Sequence, residues 1–590
     1  MEAKKRIAVI DYEQCSPQKC GNWYCESVCP VNRNQKECIS HEAQEQPHIS
    51  EELCIGCLIC VKKCPFNAIS VINLSIEPGR VLHQFGENQF RLHRFPLPRF
   101  GEVIGLIGKN GIGKTTAIDC LSGKTIPNLG NFAEKGNWAN VLETFKGKEA
   151  FAFFEKVSQN QVKIAVKPQN IEAIRNAKQK IGKLLQQVDE KNQFQETIQE
   201  LGLEKVLDHL PKELSGGELQ KTAIAATALK KSDVYFFDEP SSFLDIRERL
   251  RIASFIRGLV TEKTSVMVVE HDLILLDYLS DKIHLMYGTP SVFGIVSQVK
   301  TSREGINEYL EGFSRDENYR FRYQSIEFFA KSAKETKKGA PLFSWPKLEK
   351  KLGSFELTVE KNCLNQHEVV GVLGPNAIGK TTFVQLLAGT LKPDNITLNQ
   401  SLKIAYKPQY LERPKNLTVT EAFQKKIKLS HEELSNTILK PLEIESVWEK
   451  KFSILSGGEL QRTAIALTLA QNADIMLMDE PSAGLDVEQR ISIAKTIRST
   501  VERTGKSALI VDHDLLFTDY ISDRLMVFSG KPAVQGKALG PFSMETGMNT
   551  LLKEMNITLR RDKTSKRPRI NKSESVLDRE QKKSGKYYYA

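Results

Sequence analysis

Two copies of the pattern G-x-x-x-x-G-K-[ST] occur in this chain of 590 residues, at 108–115 and 374–381. In such a loop the glycines let backbone N–H groups curl around phosphate oxygens, and the helix that follows adds its positive N-terminal end. Lys114 and Lys380 are expected to neutralise the β- and γ-phosphates, and the threonine after each lysine to offer a hydroxyl to Mg²⁺. In the second loop, Ala377 stands where the first loop has a glycine. The residues predicted to hold ATP and Mg²⁺ are Gly108, Asn110, Gly111, Gly113, Lys114, Thr115 and Thr116 in the first copy, and Gly374, Asn376, Gly379, Lys380, Thr381 and Thr382 in the second.

A pair of adjacent carboxylates follows a short apolar run behind each phosphate loop. Asp238 and Asp479 can hold Mg²⁺ through water. Their neighbours Glu239 and Glu480 can orient or polarise the water that attacks the γ-phosphate. Such a pair is a weak signal alone, but behind a phosphate loop it predicts an enzyme that hydrolyses ATP.

Two phenylalanines ahead of the loops, Phe85 and Phe355, are candidates for stacking on the adenine base. Their positions are equally compatible with the hydrophobic core, so both interpretations stay open.

A cysteine-rich head precedes both loops, since nine of the eleven cysteines lie within the first 64 residues. The run C-x₂-C-x₂-C-x₃-C-P at 54–65 has the spacing at which three thiolates hold one [4Fe–4S] cluster and the fourth reaches a second. The upstream cysteines also end in C-P, which predicts two clusters. Structural zinc would need two cysteine pairs instead of this series, and Cys38 is left without a role. The predicted ligands are Cys29, Cys54, Cys57 and Cys60 for one cluster, and Cys15, Cys20, Cys25 and Cys64 for the other.

The rest of the chain is an internal repeat. The phosphate loop, KIA[VY]KPQ, LSGGELQ, DEPS and HDL occur twice in the same order, which indicates two copies of one domain. Lys114 precedes Gln169 by 55 residues, whereas Lys380 precedes Gln409 by 29. The first copy therefore has an insertion near 130–157, and its apolar spacing predicts a small helix–loop–helix.

Short apolar runs before each phosphate loop and each carboxylate pair are typical of the buried parallel strands of an α/β fold. We predict two α/β P-loop nucleotide-binding domains in tandem behind a small α+β ferredoxin-like domain. The expected boundaries are 1–75 for the iron–sulfur domain, 76–290 and 346–530 for the nucleotide-binding domains, 291–345 for a hinge or linker, and 531–590 for a C-terminal hinge and basic tail. We expect the end of the chain, from Lys582 onward, to be disordered.

The composition favours a soluble intracellular protein. A formal net charge of +11 suits a phosphate-rich partner such as RNA, and is equally compatible with a basic surface that has no partner. No apolar run reaches the ~18 residues of a membrane span, and the N-terminus lacks the apolar segment of a secretory signal. We therefore expect a cytoplasmic protein whose clustered cysteines bind metal and do not form disulfides.

The sequence LSGGE, at 214–218 and 455–459, resembles the signature of the ABC ATPase family in both copies. In that family, the signature of one domain covers the nucleotide of the other. The resemblance implies that Ser215 and Gly217 cover the nucleotide bound by the second phosphate loop. Ser456 and Gly458 would cover the nucleotide of the first. It also implies switch histidines that contact the γ-phosphate and loop glutamines that couple Mg²⁺ to closure, namely His271, His513, Gln169 and Gln409.

Two ferredoxin-type clusters ahead of two ABC cassettes resemble the RNase L inhibitor, or ribosome-recycling, family. The resemblance extends over essentially the whole chain and includes CPVNR at 29–33, CIGCLICVKKCPFNAI at 54–69 and TGMN…ITLRRD…RPRINK…LDR at 546–579. It implies that ATP closes the two cassettes and swings the iron–sulfur head between the ribosomal subunits. The ribosome then splits after termination, and the protein stays on the small subunit, with a link to initiation. The implied partners are the ribosome, its small subunit with rRNA and ribosomal proteins, and a peptide-release factor or its paralogue. The resemblance also implies that the protein is a monomer and binds no membrane.

Two departures from the family pattern are visible. Four residues separate Cys20 from Cys25, where the family more often has three. The insertion also carries as many acidic as basic side chains, although an element that contacts rRNA is expected to be basic.

Three other functions are each compatible with part of the sequence. An ATP-coupled electron-transfer protein would explain the clusters, but not the signature or the repeat. A transporter subunit would leave the clusters without a reason. DNA-repair ATPases of this class insert long coiled coils between their motifs, and this chain has none.

Overall fold

The computed structural model describes residues 6–41, 46–73, 79–328, 339–398, 402–427 and 431–588. The boundary expected between residues 75 and 76 and part of the expected linker, 329–338, lie outside the described residues. The predicted fold class is confirmed, because two α/β domains follow a small α+β head.

The head is built from short elements around its cysteines. Strand β1 pairs antiparallel with β4, and β2 pairs with β3. Helices α1 and α3 are each followed directly by a cysteine that precedes a proline, Cys29 and Cys64. The elements are β1 (Arg6–Ile10), α1 (Tyr24–Val28), α2 (Pro30–Arg33), β2 (Ile39–Ser40), β3 (His48–Ile49), α3 (Ile59–Lys63) and β4 (Ile69–Asn73).

The first cassette has a mixed sheet with helices on both faces. Its elements are β5 (Val81–Gln84), β6 (Arg91–His93), β7 (Val103–Gly108), α4 (Lys114–Leu121), α5 (Trp138–Phe145), α6 (Ala150–Ser158), β8 (Ile164–Lys167), α7 (Ile181–Gln187), α8 (Phe194–Leu201), α9 (Gly216–Ala228), β9 (Val234–Asp238), α10 (Ile246–Gly258), β10 (Ser265–Val269), α11 (Leu273–Leu279), β11 (Lys282–Thr289), β12 (Phe293–Val296) and β13 (Lys300–Thr301). The strand order is β5-β6-β12-β11-β7-β10-β9-β8, with β13 beside β11. Helices α5 and α6 form the insertion and are separated by Gly147.

The linker and the second cassette follow. The linker elements are α12 (Ser302–Glu311), β14 (Phe313–Ser314) and β15 (Tyr319–Arg320). The cassette elements are β16 (Pro341–Trp345), β17 (Leu348–Leu352), β18 (Phe355–Val359), β19 (Asn362–Asn365), β20 (Val369–Leu373), α13 (Lys380–Leu387), β21 (Ile404–Lys407), α14 (Val419–Lys426), α15 (His431–Leu434), α16 (Gly457–Ala470), β22 (Ile475–Asp479), α17 (Val487–Thr504), β23 (Ser507–Val511), α18 (Leu515–Ile521), β24 (Arg524–Lys531) and β25 (Gln535–Ser543). The strand order, β17-β18-β25-β24-β20-β23-β22-β21, repeats that of the first cassette.

Strands β8, β9, β10, β7 and β11 run parallel, as do their counterparts in the second cassette. The carboxyl ends of parallel strands meet at one edge, where ligands of open α/β sheets bind. This topology gathers the phosphate loop after β7, the glutamine after β8, the carboxylates after β9 and the histidine after β10. The fold thereby brings together motifs that are far apart in the sequence.

Both nucleotide-binding domains extend beyond the boundaries expected from the sequence. The first was expected to end at residue 290, but β12 pairs antiparallel with β11 and belongs to the same sheet. The second was expected to end at residue 530, but β25 pairs with both β24 and β18. In each case a tight turn folds the chain back into a hairpin, so the strand after the turn completes the sheet.

The C-terminal segment contains α19 (Met544–Met555), β26 (Leu559–Arg561), β27 (Pro568–Ile570) and α20 (Val576–Ser584). The expected disorder from Lys582 onward is wrong for residues 582–588. Helix α20 extends to Ser584, and Tyr588 is only 8% exposed, with its hydroxyl hydrogen-bonded to Asp519 of α18. The apolar contact outweighs the polar composition of the tail.

The linker and the C-terminal segment pack together between the cassettes. From α12, Arg303 Nε and Asn307 Nδ2 donate to the Asp562 carboxylate at 2.9 and 3.2 Å. From β27, Arg569 donates to Asp277 of α11 in the first cassette. One hydrophobic cluster includes residues of α11, α12, α18 and α19, so the two cassettes share part of their core at this point.

The head docks on the β5–β6 hairpin of the first cassette. Asn88, which is 1% exposed, donates through Nδ2 to the carbonyls of Ala8 and Ile49 at 3.1 and 3.0 Å, and accepts from the Ile49 N–H at 2.8 Å. The Arg91 guanidinium donates to both oxygens of Glu51 at 2.8 and 2.7 Å. A buried amide with satisfied hydrogen bonds and a bidentate ion pair together fix the head to this hairpin.

Among the described helices, none combines the length and the apolar character that a bilayer crossing requires.

Candidate nucleotide sites and cysteine clusters

The first phosphate loop connects β7 to α4. Gly113, in the left-handed region at φ 91°, is the residue before α4 and turns the chain into the helix. The Lys114 ammonium is buried and donates to the carbonyls of Gly108 and Lys109 at 2.9 and 2.8 Å. Burial lowers the pKa of Lys114, against the opposing charges of nearby carboxylates. The loop thus holds the Lys114 ammonium at the centre of a ring of backbone groups, a geometry suited to phosphate.

The second loop has the same geometry between β20 and α13. The Lys380 ammonium donates to the carbonyls of Gly374 and Pro375 at 2.9 and 2.5 Å, and burial lowers its pKa to about 8. Ala377 adopts the left-handed conformation, at φ 54°, that Gly111 adopts at φ 73° in the first loop. A residue with a Cβ is strained there, whereas glycine is not.

The predicted Mg²⁺ ligands lie next to each other in both cassettes. The hydroxyl of Thr115 donates to Asp238 at 2.9 Å, and that of Thr381 donates to Asp479 at 2.6 Å. Burial raises the pKa of Asp479 to about 6, and its buried Oδ1 has no hydrogen-bond partner among the described residues. A buried carboxylate oxygen without a partner beside a hydroxyl is a donor set that fits Mg²⁺.

Glu239 and Glu480 occupy equivalent positions directly after β9 and β22. Gln169 Nε2 donates to Glu239 Oε1 at 2.7 Å, and His271 Nε2 lies 3.5 Å from the same oxygen. In the second cassette, Gln409 donates to Glu480 at 2.9 Å. The structure therefore brings the predicted glutamine, histidine and carboxylate together in one group.

Electrostatic interactions and burial give the glutamate and the histidine of each site different charge states. Burial alone would raise the pKa of Glu239, but the contact with His271 and the charge of Lys114 lower it to about 2. The pKa of Glu480 is also about 2, since the contact with His513 outweighs burial in the same way. Burial lowers the pKa of both histidines. Each site therefore pairs an ionised glutamate with a neutral imidazole at neutral pH.

The cavity over the first phosphate loop is bordered by two aromatic residues, Phe85 and Phe90. Among the described residues, its lining comes from the first cassette alone: Phe85, Phe90, Asn110, Gly111, Gly113, Lys114, Thr115, Thr116, Gln169, Asp238, Glu239 and Ser291. Phe85 is 56% exposed at its rim, which favours stacking over a place in the core.

Phe90 is the residue that sequence reasoning missed. Its ring lies 2.5 Å from where a Cβ on Gly113 would stand, and the Phe355 ring lies 3.0 Å from the corresponding point on Gly379. Phe355 is therefore the counterpart of Phe90, and not of Phe85. The pattern F-x-L, present as FRL at 90–92 and FEL at 355–357, could have identified the pair.

The two cassettes face each other through the aspartates that precede α10 and α17. Asp486 accepts from the backbone N–H of Asn110 at 3.1 Å. Asp245 accepts from the N–H of Asn376 at 2.8 Å, and the Asn376 side chain donates to the carbonyl of Phe243 at 3.3 Å. Each phosphate loop is thus held by the opposite cassette, and neither aspartate was singled out from the sequence.

The signature serines begin their helices but do not line the first nucleotide cavity. Ser215 and Ser456 each accept from the backbone N–H of the glutamate three residues later, in a capping box before α9 and α16. Both serines are exposed, while Gly458 is half-buried. Asp245 and Asp486, and not the signatures, accept hydrogen bonds from the phosphate-loop backbone of the opposite cassette in this structure.

The eight predicted cysteine ligands fall into the two predicted groups. Cys29, Cys54, Cys57 and Cys60 line one cavity, together with Cys38 and apolar side chains. Burial, with the neighbouring charge of Cys64 and then Cys20, raises the pKa of Cys15 to about 11. The Cys25 thiol lies near Cys15, Cys20 and Cys64, so these four cysteines form the second group. In the first group, four thiols around a space with apolar walls fit an iron–sulfur cluster.

These features define a class of protein: an ABC-type ATPase with two nucleotide-binding cassettes behind 4Fe–4S binding domains. The family model for ABC transporters matches residues 98–242 and 360–483, that of the 4Fe-4S binding domain matches 47–70, and that of the Fer4-like domain in RNase L inhibitor matches 6–37. Within this class, the chain belongs to the RNase L inhibitor family, also named ABCE1 or RLI1.

Relatives match over nearly their full length. An uncharacterised ABC transporter ATP-binding protein of Methanocaldococcus jannaschii is 46% identical, with 99% of this chain and 97% of that protein covered. Translation initiation factor RLI1 of Saccharomyces cerevisiae is 43% identical, with 100% and 99% covered. A chain in the structure of ribosome-bound archaeal Pelota and ABCE1 superposes with a TM-score of 0.94 at 49% identity, with both chains fully covered. The archaeal ribosome recycling factor aABCE1, solved with ribosomal stalk protein aP1, superposes with a TM-score of 0.82 at 47% identity, with 88% of this chain and 100% of that chain covered.

Proposed function

We propose that this protein is an ATP-driven ribosome-recycling factor that splits ribosomes into subunits after termination and then stays on the small subunit. The observation that carries the proposal is mechanical. Each phosphate loop is held by an aspartate of the opposite cassette, and the cysteine-rich head is fixed to the first cassette. Closure of the cassettes on ATP would therefore move the head and the first cassette together as one rigid body.

Two ATP molecules would bind, one on each phosphate loop. Lys114 and Lys380 would leave their loop carbonyls for the β- and γ-phosphates. Phe90 and Phe355 would border the base, with Phe85 at the rim of the first site. On closure, Ser215 and Gly217 would cover the second nucleotide and Ser456 and Gly458 the first, so both nucleotides would lie between the cassettes.

Hydrolysis would depend on the ionised glutamates. Glu239 and Glu480, held by Gln169 and Gln409, would accept a hydrogen bond from the attacking water and orient it toward the γ-phosphate. The neutral histidines would donate to the γ-phosphate oxygens. Mg²⁺, held by the threonine and aspartate of each site, would neutralise charge on the phosphates.

The head would carry two [4Fe–4S] clusters and act as a rigid lever, and not as an electron carrier. Residues 6–73 are too few to build a large core, and such small domains need covalent or metal staples. The eight thiols provide the ligands, and the hairpin contact through Asn88 and Arg91 transmits the motion.

The proposed partners follow from the similar solved structures, which are ribosome-bound archaeal Pelota with ABCE1 and a complex of archaeal aABCE1 with ribosomal stalk protein aP1. We propose that this chain binds the ribosome and its small subunit together with a release factor or its paralogue. It would act in the cytoplasm as a monomer.

Sedimentation tests the proposal. With ATP and a release-factor paralogue, the protein should convert ribosomes to subunits. With a non-hydrolysable ATP analogue, it should co-sediment with isolated small subunits. Cys60→Ser should abolish splitting and leave ATP hydrolysis intact, whereas Cys363→Ser, a cysteine far from both groups in the sequence, should preserve both.

Two results would contradict the proposal. The absence of subunit release under these conditions would reject recycling. Splitting that requires a reductant, or clusters that change oxidation state with each turnover, would favour the electron-transfer alternative.

A further inference from the structure

Glu488, near the start of α17 in the second cassette, contacts the phosphate loop of the first. Its Oε2 lies 2.9 Å from the Nζ of Lys109, the second residue of that loop. The lysine side chain is 35% exposed and the glutamate side chain 17% exposed, so water screens the ion pair only in part. Two residues earlier, Asp486 accepts from Asn110 of the same loop. One helix start therefore holds the loop through both a side chain and the backbone.

The other oxygen of Glu488 is bound from the linker. Arg322 Nη1 donates to Glu488 Oε1 at 2.9 Å. The same guanidinium donates to the carbonyls of Tyr309 and Leu310 at 2.5 and 2.6 Å, at the C-terminal end of α12. Glu488 thus joins three parts of the molecule: the first phosphate loop, the second cassette and the linker helix.

The second site has no counterpart of this bridge among the described residues. The position of Lys109 is taken there by Pro375, which carries no charge. The position of Glu488 is taken by Arg247, which lies 3.6 Å from Glu554 of α19. The bridge is therefore a feature of the first site alone.

We propose that Glu488, held between Lys109 and Arg322, is a positioning residue that sets nucleotide binding at the first site independently of the second. This inference rests on the proposed composite ATP sites. In the bridge, Lys109 neutralises the carboxylate beside the loop. Without the lysine cation, Arg322 would balance the carboxylate from the linker side only, and the oxygen that faces the loop would repel the triphosphate, because like charges near a partly buried loop interact more strongly than in water.

The test reads each site separately in the full-length protein. Lys380→Ala disables the second loop, so binding of a fluorescent ATP analogue reports the first site; Lys114→Ala gives the reverse. In the Lys380→Ala background, Lys109→Met should weaken binding of the ATP analogue by about three- to tenfold, which is the size expected for the loss of one partly screened ion pair. In the Lys114→Ala background it should have no measurable effect. Arg247→Met, the matched change at the other interface, should leave the first site unaffected.

The decisive arm is rescue. Glu488→Gln removes the carboxylate, so Lys109→Met combined with Glu488→Gln should restore first-site binding to near the parent value. A merely structural role for Lys109 predicts no rescue, and high salt should reduce the single-variant effect only if charge is the cause. The inference is overturned if Lys109→Met weakens both sites equally, or if Glu488→Gln fails to rescue. Failure of both single-site backgrounds to bind any nucleotide would overturn the proposed ATP sites and this inference with them.

Discussion

The two cassettes hold the glutamates that we propose as catalytic in the same way. Gln169 donates to Glu239 at 2.7 Å and Gln409 donates to Glu480 at 2.9 Å, and the pKa of each glutamate is about 2. The chemical groups of the two sites are therefore matched in geometry and in charge.

The cassettes differ where each faces the other. Lys109 is replaced by Pro375, Gly111 by Ala377 and Phe243 by Gly484. All three differences lie in a phosphate loop or in the loop that touches it from the opposite side. We infer that any inequality between the two sites arises from closure and binding, and not from the hydrolytic step.

The largest expected effect comes from the glutamates. Glu239→Gln or Glu480→Gln should reduce hydrolysis at its own site by about 10²-fold or more, because a neutral amide polarises the attacking water much less than the ionised carboxylate does. The residual turnover of the two variants should nevertheless be unequal, since the site left intact differs. Steady-state phosphate release and single-turnover measurements distinguish the sites. Identical residual rates would remove the asymmetry.

The pH dependence of Mg²⁺ binding should be the next largest effect. Burial raises the pKa of Asp479 from 3.8 to about 6, so the folded protein holds this proton more tightly than the unfolded chain does. Without metal, this carboxyl therefore contributes stability at low pH that is lost as the pH rises from about 4 to 6. Mg²⁺ needs the ionised form, so its affinity at the second site should rise about tenfold per pH unit up to pH 6 and then level off.

Thermal denaturation with and without Mg²⁺ and nucleotide, between pH 5 and 8, measures this effect in the Lys114→Ala background. Asp479→Asn is the control, because it removes the titrating group and should abolish the pH dependence. A Mg²⁺ effect that stays constant from pH 5 to 8 would contradict the assignment of Asp479 as a ligand.

The sequence predicted the chemical groups better than the surfaces between them. The phosphate loops, the carboxylate pairs and the cysteine run at 54–64 could be recognised because each is a short local pattern at a strand end or beside a short helix. Phe90 was missed because its role depends on contact with Gly113, and the repeated F-x-L pattern pairs Phe90 with Phe355 without showing that contact. Tyr588 was missed for a similar reason: its burial depends on α18, a distant helix.

Phe243 offers a sharper test of the interface. It adopts a left-handed conformation at φ 66°, is 64% exposed and lies against the start of the signature helix at Gly216. A bulky residue in this conformation is strained by about 1–2 kcal/mol. Closure would bury the ring, so Phe243→Gly should weaken trapping of a non-hydrolysable analogue at the second site by about three- to tenfold, which is one or two buried methylene groups.

Phe243→Leu, which keeps an apolar side chain, should retain most of the trapping. The reciprocal change Gly484→Phe tests the other side, since a Cβ at Gly484 meets no atom within 4 Å. If Phe243→Gly alters the first site instead of the second, the ring does not act at the interface described here.

The smallest expected effect concerns the backbone of the phosphate loops. Gly111 and Ala377 share a left-handed conformation, and each carbonyl accepts from a residue of the following hairpin, Ser291 at 2.8 Å and Ala533 at 2.9 Å. The left-handed region costs a residue with a Cβ about 1 kcal/mol relative to glycine, while glycine loses about 0.5–1 kcal/mol of unfolded-chain entropy. The two terms nearly cancel in folding stability, so the melting temperature should hardly change in Gly111→Ala or Ala377→Gly.

Nucleotide affinity should respond more clearly, because binding requires the loop to hold its geometry around the phosphates. A Cβ on Gly111 would meet Ser291 and Pro290 at 3.4 and 3.5 Å, which is ordinary contact, so Gly111→Ala adds backbone strain without a clash. Gly111→Ala should weaken the first site by about two- to fivefold, and Ala377→Gly should strengthen the second by a similar factor. Gly111→Ala combined with Ala377→Gly should then bring the nucleotide affinities of the two sites closer, provided that the charge of Lys109 is also removed. If Ala377→Gly leaves the second site unchanged while Gly111→Ala weakens the first, the strain is already relieved elsewhere in the second loop, and the asymmetry would reside in the side chains of the interface alone.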